Sequence, residues 1–148
     1  MRNEYHQLVD SIQPIDFKRP TIDTRWSVGE ILIHMIQTLE VMPQGIDSVR
    51  KGKDFMNLPI ALVGFSNLIL VKIMVRNVTP KALLARYDRA FNAAIQKWDG
   101  VSDDEWSKGA GLFGEGYKTL HDYYMHALKH FKEHAAQISK SLTAVEGS

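Results

Sequence analysis

Leu120-His121-Asp122-Tyr123-Tyr124-Met125-His126-Ala127-Leu128-Lys129-His130-Phe131-Lys132-Glu133-His134-Ala135-Ala136-Gln137 is the stretch that decides how this chain is read. Apolar residues recur at 120, 124, 127, 128, 131 and 135 and continue at Ile138 and Leu142, which is the period of one helix face. Thr119 stands at the cap position, and Asp122 is spaced to reach back to it. The same helix carries four of the six histidines, and His126, His130 and His134 repeat every four residues. Residues four apart lie one above the other on a helix, and imidazole is the commonest protein ligand for metals. The segment therefore predicts a long amphipathic helix with a ladder of metal-ligating groups along its edge.

Geometry selects within the ladder. Positions eight apart are separated by about 12 Å along the axis. His126 and His134 cannot both reach one ion whose nitrogen ligands sit at about 2.1 Å. The pair is His126 with His130, or His130 with His134. The apolar stripe centres near Leu120, Phe131 and Ile138, and His134 lies roughly 50–60° from that centre, His130 about 90–100° and His126 beyond about 130°. Inward-facing side chains build metal sites in helical bundles, so His130 with His134 is expected to be the pair and His126 to face water.

Upstream, helix signals dominate and strand signals are nearly absent. Tyr5, Leu8, Val9 and Ile12 predict a short first helix ended by Pro14. Ser27 and Glu30 have capping-box spacing and open a second helix, whose stripe runs through Val28, Ile31, Leu32, Met35 and Leu39 until Pro43 is expected to stop it. Residues 43–57 read as loop. The apolar segment at about 58–76 predicts a further helix, weakened by Gly64. Thr79-Pro80 is a clean helix start, followed by Leu83, Tyr87, Ala90, Phe91, Ala94 and Trp98 at helical period and closed by Asp99-Gly100. A polar connection over 100–118 leads to the histidine helix. The whole is read as one domain over 1–148, an all-α antiparallel four-helix bundle with an extra apolar helix at about 58–76.

Two imidazoles need a third ligand from another helix, and His34 is the only histidine on the second. It lies off the strongest apolar stripe, beside Thr38 and Glu30, so periodicity leaves two readings open: third ligand, or exposed residue.

Several segments resemble the DinB-like (damage-inducible) superfamily of metal-binding four-helix bundles. Arg25-Trp26-Ser27-Val28-Gly29-Glu30-Ile31-Leu32-Ile33-His34-Met35 is similar to that family's tryptophan, capping residue and histidine at the start of helix two. Thr79-Pro80 through Trp106 resembles its third helix and the acidic connection after it. Thr119 through Gln137 resembles its last helix, which ends in His-xxx-His-xx-Gln. The resemblance implies that His34, His130 and His134 are a metal triad with water at the open position, holding zinc in the first instance and nickel or another divalent ion in the second. It also implies an enzyme related to bacillithiol- or mycothiol-dependent thiol transferases and isomerases, or a related hydrolase, acting on a small molecule with a low-molecular-weight thiol as cosubstrate.

No second catalytic group is evident. Gln137 could orient a bound water, Tyr123 shares the histidine face, Glu30 could buttress His34, and Trp26 could shape the pocket mouth. Each has a plainer reading: solvated amide, core-edge aromatic, capping carboxylate and hydrophobic staple. The alternative function is a non-catalytic, metal-stabilised dimeric interaction module.

Composition bounds these readings. A formal net charge of +1 carries no basic stripe of the kind nucleic-acid binding needs; Arg50-Lys51-Gly52-Lys53 is followed at once by Asp54. The chain has no cysteine, which excludes thiolate ligands and a protein-borne thiol nucleophile, and fits a reducing cytoplasm. The N-terminal residues lack the apolar core of a signal peptide. Pro59, Asn67 and Lys72 interrupt the most apolar segment, so no membrane span is expected. That segment is instead expected to cover the bundle or to form a homodimer contact.

Overall fold

The computed structural model describes residues 1–22 and 25–143, with the side chains of Ile60, Val63–Leu68 and Asn77 left aside. Among the described residues five α-helices carry the fold: α1 (Arg2–Asp10), α2 (Val28–Arg50), α3 (Ile60–Met74), α4 (Pro80–Asp99) and α5 (Leu120–Thr143). A two-stranded antiparallel hairpin, β1 (Gly109–Gly111) with β2 (Tyr117–Thr119), precedes α5, and Gly109 pairs with Thr119. The fold is all-α, and this short hairpin departs from a purely helical reading.

The predicted starts are built as their chemistry requires. At α2 the Glu30 N–H donates to Ser27 Oγ (3.3 Å) and the Ser27 N–H donates to a Glu30 carboxylate oxygen (2.6 Å), a reciprocal box that satisfies two otherwise free donors. At α4 the Ala82 N–H donates to Thr79 Oγ1, with Pro80 in the first turn. At α5 Thr119 and Asp122 exchange backbone N–H bonds of 3.0 Å each.

The end of α2 corrects the sequence reading. The helix does not stop at Pro43 but continues to Arg50, so much of the expected 43–57 loop is helical. An interior proline costs about 3 kcal/mol. The stripe nevertheless continues through Ile46 and Val49, both fully buried, and burying two such side chains is worth about 1.5–3 kcal/mol each. Core burial outweighs the local preference.

Helix directions explain the connection that follows. Glu40 pairs with Arg86 and, further along, Asp47 pairs with Lys97, so α2 and α4 run the same way. In contrast, His34 lies beside His130 and Gly45 beneath Tyr123, so α2 and α5 are antiparallel. Two parallel neighbours require the chain to travel back along the bundle between them. Helix α3 lies on this return path and rests on α2: Val71 is fully buried, and the Gln37 amide donates to Met74 Sδ (3.2 Å). Its other side is open, with Leu62, Ile69, Leu70 and Ile73 between 43 and 58% exposed. No helix among the described residues is long and apolar enough to cross a membrane.

The remaining helix, α1, closes the bundle. Tyr5 stacks on Tyr87 of α4 at 3.8 Å and its hydroxyl donates to the Leu32 carbonyl of α2 (3.2 Å). At the end of α4, Trp98 stacks on Trp106 and meets Tyr123 and Tyr124 edge-on, joining α4 to the start of α5.

Candidate metal centre

The antiparallel seam of α2 and α5 brings His34 to His130 and His134. Each of the three offers a ring nitrogen, and these atoms all lie within 4.8 Å of one another. Ring centroids are 4.8 Å apart for His34 and His130, 5.1 Å for His34 and His134, and 4.4 Å for His130 and His134. Nitrogens at about 2.1 Å from a tetrahedral zinc would be separated by about 3.4 Å. That value lies within the 4.8 Å limit on the three nitrogens, and the donor set suits a borderline-soft divalent cation. Of the two readings that periodicity left for His34, its position opposite the α5 pair fits the ligand reading.

Protonation favours the same chemistry. The Nε2 atoms of His34 and His130 are 2.9 Å apart, a hydrogen bond in which one nitrogen carries the proton and the other accepts, and an ion held by both nitrogens would displace that proton. Burial, and after it the rings of His34, His134 and His126, push the His130 pKa down to about 2. His130 is therefore a neutral imidazole at physiological pH, the protonation state a metal ligand needs.

His134 is tied from its far side. Its Nδ1 is 3.0 Å from Gln137 Oε1, the Gln137 amide donates to Thr21 Oγ1 (3.2 Å), and the Thr21 hydroxyl donates to the Trp26 carbonyl (2.9 Å). Backbone bonds from Thr21 N–H to the Trp26 carbonyl and from Val28 N–H to the Arg19 carbonyl close the base of this strap ahead of α2. The Trp26 indole sits 5.0 Å from the His34 ring, beside the triad.

The other sequence candidates fall elsewhere. His126 is exposed on the outer rung of the ladder, with its ring 5.9 Å from that of His130. The Glu30 carboxylate is engaged in the Ser27 cap. Tyr123, about 10 Å before His130 along the helix, is 3% exposed and packs against Trp98 and Phe113. Its phenol is pushed above the usual range by burial. Thr21 was not anticipated: it lies in an irregular segment where no periodicity marks a residue as facing the site.

A bundle in which two helices bring three imidazoles together fits a metal-binding helical protein. A family model described as the DinB superfamily matches residues 1–138, and the chain belongs to that superfamily. No curated protein and no solved structure gives a significant match.

Proposed function

We propose that the His34, His130 and His134 triad binds a divalent metal, zinc first and nickel second, and that the protein is a metal-dependent thiol S-transferase, or a related hydrolase, acting on a small molecule. The observation that carries this reading is the convergence of three imidazole nitrogens from two helices within 4.8 Å. Three nitrogen ligands leave a position open, the pattern of catalytic rather than closed structural sites. An ion so held lowers the pKa of a thiol or water placed at that position. The chain has no cysteine, so a reacting thiol must arrive as a cosubstrate of low molecular weight.

The surroundings suit a small substrate with an apolar arm. A groove of about 210 Å³, lined by Phe91, Ile95, Trp98, Tyr124 and Leu128, adjoins a water-sized gap bordered by Thr38 and His130. A cavity of about 150 Å³ holds benzene, so this groove accommodates a phenyl or short alkyl group.

A second reading, a metal-stabilised homodimeric interaction module, is favoured by α3, whose Leu62, Ile69, Leu70 and Ile73 face outward. Metal analysis of the purified protein beside His34→Ala and His130→Ala tests the site. The wild type should retain stoichiometric metal and both variants should lose it; equal metal content in all three refutes the site. Thiol-transfer assays with and without chelator then separate the readings. Turnover abolished by chelation supports the enzyme, whereas dimerisation without turnover, measured by sedimentation, supports the module.

A further inference from the structure

We infer that a one-way hydrogen-bond chain, running from His134 through Gln137 and Thr21 to the Trp26 carbonyl, fixes His134 as its Nδ1–H tautomer, making Gln137 and Thr21 positioning residues for its Nε2 lone pair. The direction of the chain follows from its last member. A backbone carbonyl can only accept. The Thr21 hydroxyl has one proton and lies 2.9 Å from that carbonyl, so its proton points there. Reversing it would leave two acceptor oxygens facing each other at that distance. Thr21 is 4% exposed, so bulk water does not relieve such a clash.

With its proton committed, Thr21 Oγ1 can only accept from Gln137, 3.2 Å away. Gln137 must therefore turn its amide nitrogen to Thr21 and its oxygen to His134. That oxygen accepts, so the His134 nitrogen 3.0 Å from it must be Nδ1–H. A neutral imidazole protonated at Nδ1 has its lone pair at Nε2. The opposite polarity would protonate Nε2 and leave it unable to ligate. A backbone carbonyl in the strap thus sets the ligand state of a side chain on α5.

The tautomer stands on the hydrogen bonds alone; its value for metal binding rests on the function proposed above. Long-range ¹H–¹⁵N correlation spectra of the metal-free protein, at a pH where the imidazoles are neutral, read the protonated nitrogen of His134 directly. The wild type and Thr21→Ser should show Nδ1–H, while Gln137→Leu and Thr21→Val should show a tautomer mixture. Zinc affinity, measured by competition with a chromophoric chelator, should fall about 10–100-fold in Gln137→Leu and Thr21→Val and stay near wild type in Thr21→Ser. A wild-type His134 protonated on Nε2, or an unchanged protonation site in both disruptive variants, overturns the inference. A wild type that shows Nδ1–H but binds no zinc refutes the metal site and leaves the hydrogen-bond chain supported.

Discussion

Gly45 sets how closely α5 approaches α2, and Gly45→Ala should destabilise the bundle even though alanine is the better helix former. A methyl group at Gly45 would lie 2.9 Å from Tyr123 Oη, 3.0 Å from Cε1 and 3.2 Å from Cζ. Optimal carbon contacts are about 3.5–4.0 Å, so the overlap is on the order of half an ångström or more. The ring has nowhere to swing, being 3% exposed with Trp98 and Phe113 each 5.8 Å away. Overpacking of this kind costs about 1–3 kcal/mol. Replacing an interior helical glycine by alanine returns about 1 kcal/mol. The net expectation is a loss of about 1 kcal/mol, on the order of 2–4 °C in Tm. Tyr123→Phe provides the control. It removes the closest contact and also a buried hydroxyl that has no hydrogen-bond partner among the described residues, so alone it should be neutral or stabilising. In that background Gly45→Ala should cost less, a coupling of about 0.5 kcal/mol or more. Urea unfolding of the four proteins, followed by far-UV circular dichroism, measures all of this. A Gly45→Ala protein more stable by the full propensity gain, with no coupling to Tyr123, would refute the close-approach argument.

Two further outcomes are expected. Glu105, in the turn after α4, receives two bonds of 2.9 Å from the Arg50 guanidinium at the end of α2, and that contact, followed by the Ser102 N–H, holds its carboxyl down at about 2 against an ordinary 4.5. Between those values the unfolded chain binds a proton that the folded chain does not, so this contribution is complete above about pH 4.5 and fades as pH falls towards 2. The Tm difference between wild type and Glu105→Gln should shrink over that window; a difference constant from neutral pH to pH 2 would show that the ion pair does not stabilise the fold. His126→Ala should leave metal content and affinity unchanged, because its ring is exposed on the outer rung; loss of metal on chelator titration would place His126 in the site.

How much of this was legible in the sequence depended on whether the signal was local. The caps at Ser27, Thr79 and Thr119 are local chemistry and were readable from spacing alone. So was the separation of His126 from His130 and His134, because one helix's own periodicity orders them. Pro43 misled because the energy that carries α2 past it comes from Ile46 and Val49 packing into a core assembled by other helices. The orientation of His34 also depends on where α5 lies, which no pattern within α2 encodes; only the family resemblance supplied it. Gln137 showed its position beside His134 but not its partner, since Thr21 reaches it across 116 residues of sequence.

The histidine that α2 contributes and the nearest that α5 contributes are 96 residues apart in the chain. No partly folded form lacking the α2–α5 seam can present all three nitrogens together. Any ion they hold is therefore linked to the folded state, and apparent affinity is the intrinsic affinity scaled by the fraction of molecules folded. A variant that loses 1 kcal/mol from a comfortably stable bundle would bind almost normally, whereas the same loss near the unfolding midpoint would weaken binding severalfold. Metal uptake would then report the integrity of the whole bundle, and an excess of ion would rescue destabilised chains that retain the three ligands.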